Sequence, residues 1–304
     1  MYTDQQVSLD NLWFVNQNPY GCLPNLRLCD ENEAVIEEIK FFKKHGGGTI
    51  VENTTTGIKR DVEFYQRVAK EAGVNVIAGT GYYVEKSRPD TLKMTEEEMV
   101  ENMRTDILHG ADSTNIRCGI VGEIGCSWPL TASEKTCVKA SATVQSELRC
   151  PVMVHPGRNE AAPFEIIRIY QEAGGDVNKL IMGHLDRTIF NREKLVDFAS
   201  IGSYCEYDLF GIELSYYQIQ DTIDMPSDAQ RIQLIKYLID EGFEDQITIA
   251  HDIHTKHRLM KYGGHGYSHI LLNVLPKMRK RGITQEHINK MLKENPRKWL
   301  TFGK

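Results

Sequence analysis

The chain has 304 residues, with 36 Lys and Arg against 42 Asp and Glu, a formal net charge of −6 and a pI near 6.0. That balance gives no general attraction to phosphate backbones or anionic lipid, so neither nucleic acid nor a membrane surface is expected as a partner. No apolar stretch approaches the ~18 residues of a spanning helix and MYTDQQVSLD lacks the apolar segment of a signal peptide, so a cytosolic protein is expected.

The first 30 residues contain NLWFVNQNPY, which reads as helix or loop, and no buried strand. Apolar, β-branched-rich runs follow at 49–54 (TIVENT), 75–83 (NVIAGTGYY), 118–125 (CGIVGEIG), 151–157 (PVMVHPG), 180–186 (LIMGHLD), 202–209 (GSYCEYDL) and 246–253 (QITIAHDI). Continuous apolarity, rather than alternation, marks strands buried on both faces. Between them lie stretches with apolar residues at helical spacing: EAVIEEIKFFKKH, VEFYQRVAKEAG, EEEMVENMRTDILHG, SEKTCVKASATVQSEL, APFEIIRIYQEAGG, REKLVDFAS and AQRIQLIKYLIDEG. Most run into a glycine, a left-handed stop signal, before the next strand.

Strict alternation of strand and helix predicts an α/β fold with a parallel sheet. In an open sheet ligands gather at the switch point, whereas here nearly every strand ends in polar chemistry, which favours a barrel. Such a barrel needs about 250 residues, so residues 1–304 are expected to form one TIM-type (β/α)8 domain, closed by GITQEHINKMLKENPRKWL. Seven strands are legible rather than eight, so the first is missing or atypical. The stretch 210–226, rich in Tyr and acidic residues, is expected to loop over the active face.

Four metal-competent side chains end four of these runs: Glu123 in VGE, His155 in VMVH, His184 in IMGH and Asp252 in ITIAHD. In a parallel barrel the C-terminal strand ends converge on one face, so these residues are expected to share one site. His and carboxylate donors without cysteine suit a catalytic divalent metal, zinc, manganese, cobalt or iron. Such a metal acidifies bound water, and Asp252 is the expected general base as well as a ligand. Glu123 would supply the anionic ligand that two neutral imidazoles lack. The seven cysteines are odd in number, scattered and without a CxxC pair, which excludes a disulfide framework or zinc ribbon. Cys118, Cys126 and Cys205 are expected to be small buried residues.

Arg158, Arg187, Glu206, Tyr207, Asp208, His254 and Lys256 follow the strand ends and read as substrate contacts, with His257, Arg258 and Lys261 extending a basic loop. That basic loop on an acidic protein suggests a small anionic substrate. The alternatives are that the loop is a solvated helix start and that Arg187 pairs with Asp186 or Asp208. The glycines of YGGHGYSH permit unusual backbone angles, and His265 and His269 there shape the pocket rather than ligate. NTTTG caps the next helix or bonds substrate, and the glycines at 46–48 precede a strand, so they form no phosphate loop.

With VENTTTG, GEIGCSWPLT, VHPGR, GHLDRT, EYDLFG, HDIHTK, YGGHGYSHI and ENPRKWL in hand, the chain from about residue 11 onward resembles the phosphotriesterase family of the amidohydrolase superfamily. The resemblance implies a (β/α)8 barrel with a two-metal centre. In that centre a first-strand His-x-His pair, a fourth-strand carboxylate, one histidine each from strands five and six, and an eighth-strand Asp are the ligands. The last four map to Glu123, His155, His184 and Asp252. It also implies hydrolysis of phosphotriesters, lactones or amides, and in the animal branch of N-acyl amino compounds such as N-acetyltaurine. This chain has no His-x-His. Either the sequence begins inside a longer one or half the metal site is lost, leaving Glu123, His155 and His184 to hold a single metal. The expectations are then unpaired strand edges, reduced stability and weak turnover, with a non-catalytic metal- or anion-binding relative as the competing function.

Overall fold

The computed structural model describes residues 2–213 and 217–303. Seven parallel strands run in chain order: β1 (Thr49–Glu52), β2 (Asn75–Thr80), β3 (Ile120–Gly125), β4 (Val152–His155), β5 (Leu180–Met182), β6 (Tyr204–Tyr207) and β7 (Ile247–Ile249). Each is hydrogen-bonded to the next, and all seven fall within the expected runs. The N-terminal residues form a short helix, α1 (Leu12–Gln17), and three tight turns. The strands are followed or separated by α2 (Asn32–Lys44), α3 (Val62–Ala72), α4 (Glu96–Leu108), α5 (Ala132–Leu148), α6 (Ala162–Glu172), α7 (Arg192–Ala199) and α8 (Asp228–Asp240). Side chains cap their starts: Thr95 and Glu98 exchange hydrogen bonds with each other's backbone at α4, as do Thr131 with Glu134 at α5 and Ser227 with Gln230 at α8.

Two clusters show which way each strand residue points. Val121, Val152, Val154, Leu180, Met182, Cys205, Tyr207 and Ile247 belong to the main core with the helices. Their neighbours Ile120, Met153, Ile181 and Tyr204 gather instead around Trp299, with Val51 and Ile77. The period of two thus separates a helix-facing layer from an interior plugged at the N-terminal strand ends. Trp299 donates its indole N–H to the carbonyls of Lys179 at 3.1 Å and Val152 at 3.3 Å, which sets it there. The buried Cys118, Cys126 and Cys205 sit in the helix-facing layer, as their small apolar side chains predict.

The sheet does not close. β1 and β7 are its edges, and among the described residues neither has a strand partner on its free side. Burial follows: β3, β4, β5 and β6 are buried throughout, whereas every described residue of β1 is half-buried or exposed. The outer side of β1 is nonetheless covered, because Ile50 packs with Ile36 and Ile39 of α2, Val68 of α3, and Leu259 and Tyr262 of the segment after β7.

The C-terminal region departs from expectation in one respect. A helix unforeseen in the sequence, α9 (Leu275–Lys280), follows a wide π-turn at Ile270–Val274, and the closing helix is likewise split into α10 (Gln285–Asn289), a π-turn at Lys290–Glu294 and α11 (Asn295–Leu300). Pro276 and Pro296 sit at the second positions of α9 and α11. Neither proline has an N–H for the preceding turn, so the backbone widens there instead of continuing a uniform helix. No helix of the described residues is long and apolar enough to cross a membrane.

Trp299→Ala removes the interior plug and leaves two carbonyls without their donor. It should lower unfolding free energy by about 3–5 kcal/mol in urea denaturation, with a matching loss in thermal midpoint.

Candidate metal centre

His155 is brought inside by plain strand alternation: Val152 and Val154 face the helices, Met153 and His155 the interior. Glu123 is not. With Ile120 inside and Val121 outside, a regular strand would send Glu123 outward. The register against β4 shifts between Val121 and Ile124, so Gly122 is the extra residue, Ile124 returns to the helix-facing layer and Glu123 turns in. Glycine is required at both 79 and 122, since a Cβ on Gly79 would lie 2.0 Å from the Gly122 carbonyl and Gly122 itself has φ +139°. His184, one residue past inward-facing Gly183, reaches the site through a left-handed backbone, φ 54°. For a non-glycine residue that conformation costs roughly 1–2 kcal/mol and is typical of functional positions.

The three side chains converge. His184 Nε2 lies 2.8 Å from His155 Nδ1 and 3.0 Å from Glu123 Oε1, and His155 Nδ1 is 3.4 Å from Glu123 Oε1. The other face of His184 is fixed twice by Asp208, whose Oδ1 accepts from Nδ1 at 2.7 Å while Oδ2 accepts the His184 backbone N–H at 3.0 Å. Asp208, expected as a substrate contact, instead aims a ligand.

Burial raises the Glu123 carboxyl, but hydrogen bonds from His155 and His184 more than offset it and bring it down to about 2. Burial and the neighbouring His184 pull His155 down to about 3. Burial opposes charge on His184 too, yet Asp208 holds it well above the usual imidazole value. Two imidazoles and a carboxylate are thus buried together, with Asp208 favouring positive charge on His184. Their separations are those of ligands round one small cation, and an N, N, O donor set with a carboxylate behind one histidine suits a divalent metal.

Asp252 stands apart from this group. The group whose ligand atoms lie within 4.8 Å of one another contains Glu123, His155 and His184 without it. Its own backbone is left-handed, φ 50°, and its carboxylate turns to His254 Nδ1 at 3.2 Å and towards Arg258 at 3.8 Å. It still borders the centre: burial raises its carboxyl, but the charges of His254, His184 and Arg258 hold it far below the ordinary range.

The remaining expectations divide. Arg187 pairs with neither Asp186, which binds Arg231 at 2.8 Å, nor Asp208. It is 2% exposed, has no carboxylate within ion-pair distance among the described residues, and makes a 3.4 Å contact to His155 Nε2. Arg158 is half-buried and among the described residues bonds only to Tyr217, Nε to the phenol oxygen at 2.6 Å. Tyr207 faces the helices, fully buried, because alternation turns Glu206 inward and Tyr207 out. Lys256 is no substrate contact either. Its ammonium is buried against Asp30 and Glu31, both at 3.3 Å, tying the basic segment to the N-terminal turns, and Arg258 is buried on Asp252 and His254. His254 keeps one face on Tyr20, 3.3 Å from the phenol. His265 and His269 lie outside the centre, beside outward-facing His251 and Asp228.

Sequence reading missed Tyr83, whose hydroxyl is 3.1 Å from His155 Nδ1. Burial raises that phenol well above its ordinary value, the charges of Glu123 and Asp252 add to the rise, and those of Arg187 and Arg158 oppose it. The only signal was the GTGYY at the end of a strand run.

The phosphotriesterase family model matches residues 3–300. The chain belongs to the phosphotriesterase family. It is 56% identical over 301 residues to an N-acetyltaurine hydrolase of Xenopus tropicalis, covering 99% of this chain and 86% of that protein, and 57% identical over 297 residues to one of Danio rerio, covering 97% and 85%. Among solved structures, a resiniferatoxin-binding protein from Rhodobacter sphaeroides superposes with a TM-score of 0.94 at 30% identity, over 98% of this chain and 83% of that one. The phosphotriesterase homology protein of Escherichia coli shares the fold, with a TM-score of 0.84 at 24% identity over 98% and 96%.

If Asp208 aims His184, this phosphotriesterase-family chain carrying Asp208→Ala should bind divalent metal about 10–100-fold more weakly, read by competition against a metallochromic chelator.

Proposed function

We propose that this chain is a metal-dependent amide hydrolase for small N-acyl amino acids and sulfonates, with N-acetyltaurine the first substrate to test. The observation that carries the reading is the convergence of Glu123, His155 and His184 on one point, supported by family membership and by relatives named for N-acetyltaurine hydrolysis. In this proposal those three residues would hold one divalent cation, with zinc the first to test because imidazole and carboxylate donors suit it. When bound, such a cation supplies Lewis acidity, which acidifies water and polarises a carbonyl.

The chain's own residues do the rest. Water attacks the acyl carbon, and Asp252, kept ionised by His254 and Arg258, takes its proton. The Tyr83 hydroxyl donates to the acyl oxygen as negative charge develops there. The C–N bond breaks, and Asp252 returns the proton to the leaving amine, giving acetate and a free amino sulfonate. Arg187 and Arg158 offer cationic charge to an anionic substrate. Seven unbridged cysteines support a reducing, cytosolic setting.

A second reading, a metal- or anion-binding relative with little turnover, is favoured by one observation: the sequence contains no His-x-His and the described sheet has seven strands.

Two measurements separate them. Purified protein should release acetate from N-acetyltaurine and contain about one metal per chain by elemental analysis; stoichiometric metal without acetate release decides for the binding role. His184→Ala should abolish turnover and lower metal content. Asp252→Asn should reduce kcat roughly 100-fold or more while keeping the metal.

A further inference from the structure

Two tyrosines from distant segments meet at the mouth of the centre. Tyr20 lies in the turn Pro19–Gly21, which is held from both sides. Gln218 Oε1 accepts the Tyr20 backbone N–H at 3.0 Å, and Asn25 bonds both the Pro19 carbonyl and the His257 backbone N–H at 2.9 Å. One residue before Tyr20's partner Gln218 stands Tyr217, buried, whose phenol oxygen accepts from Arg158 Nε. Tyr20 packs against the buried cluster that contains Tyr217, and its phenol oxygen lies 3.3 Å from His254 Nε2, whose other ring nitrogen is 3.2 Å from Asp252 Oδ1.

Arg158 has no carboxylate within ion-pair distance among the described residues, although most half-buried or buried arginines here have one: Arg60, Arg88, Arg104, Arg231 and Arg258. Among the described residues its two terminal nitrogens have no hydrogen-bond partner. Tyr217 has used an oxygen lone pair on Nε, which leaves its own O–H to donate. Three donors thus face one space: the two arms of a guanidinium fork and a phenol. A planar carboxylate satisfies the fork with its two oxygens, while a tetrahedral sulfonate has a third oxygen for the phenol.

We propose that Arg158, Tyr217 and Tyr20 form the acid-group subsite of this enzyme and select a sulfonate tail over a carboxylate or a neutral one. The inference rests on the amide-hydrolase reading and names the residues that set its specificity. Arg158 is the anchor, Tyr217 orients it and supplies the third donor, and Tyr20 forms the wall that fixes the distance from the scissile bond. Because the turn bearing Tyr20 is bonded to two other segments, the subsite exists before substrate arrives and little ordering is lost on binding.

The test is a panel of N-acetyltaurine, N-acetyl-β-alanine and the neutral N-propylacetamide, assayed with wild type, Arg158→Gln, Arg158→Lys and Tyr217→Phe. In Arg158→Gln the ratio of kcat/KM for N-acetyltaurine over the neutral amide should fall about 10–100-fold, through KM. Arg158→Lys should regain part of that ratio because it keeps the charge, but not the preference for sulfonate over carboxylate, which needs the fork. Tyr217→Phe should narrow that preference alone. An unchanged ratio in Arg158→Gln, or an equal loss on all three substrates, overturns the proposal while leaving the hydrolase reading intact. If wild type hydrolyses none of the panel, calorimetric titration with N-acetyltaurine decides: binding lost in Arg158→Gln upholds the subsite, and no binding by wild type overturns it.

Discussion

The Asp208 carboxylate takes both the backbone N–H and the ring N–H of His184, and that double hold decides where Nε2 points. Everything at the centre follows from it. With the ring fixed, Nε2 lies within 3.0 Å of His155 Nδ1 and Glu123 Oε1, all three groups being buried. Burying these donors together is favourable only around positive charge, since an isolated buried carboxylate is strongly disfavoured. A proton on His184 meets that need in one way and a divalent cation in another. The second leaves Tyr83, Arg187 and Asp252 disposed round a polarised reaction centre instead of round an internal ion pair.

The order of strands and helices was legible in the sequence because parallel strands buried on both faces read as unbroken apolar runs, and the polar residues ending nearly every run favoured a barrel over an open sheet. That His155 faces inward also followed from strand period. Glu123 and His184 did not: by alternation both point at the helices, and only the bulge at Gly122 and the left-handed residue at 184 reverse them. A run ending in a charged residue marks the right neighbourhood, but the local backbone irregularity that aims the side chain has no periodic signature. The same limit explains Tyr207, placed at the centre by its position near a strand end and put outside it by the register of β6.

Long-range pairing accounts for the other misreadings. The basic run after β7 looked like a solvated or substrate-facing patch, yet Lys256 and Arg258 are consumed by Asp30, Glu31 and Asp252. Those acidic partners lie some 220 residues earlier or within a turn that the sequence does not disclose. Conversely Arg158 and Arg187, equally basic in sequence, are the ones left without carboxylates among the described residues. Tyr20 and Tyr83 carry no motif at all and acquire meaning only from what the fold sets beside them.

The seven-stranded sheet divides the centre into two mechanically different halves. Glu123 and His155 stand on β3 and β4 and His184 just beyond β5, strands whose residues are buried throughout and whose neighbours on both sides are hydrogen-bonded strands. Asp252 stands beyond β7, an edge strand, and is held by His254 and Arg258 rather than by a neighbouring ladder. Those two are steadied in turn by the N-terminal turns, through Tyr20 on His254 and Asn25 on His257. The geometry of the cation-holding half is therefore set by sheet hydrogen bonding and core packing, while that of the proton-accepting half depends on a few polar contacts between segments remote in sequence. Under the proposed mechanism, disturbing the first half should alter metal affinity and fold together. Disturbing the second should alter proton transfer and substrate selection while the sheet stays as it is, and this separation lets the two proposed roles be examined independently.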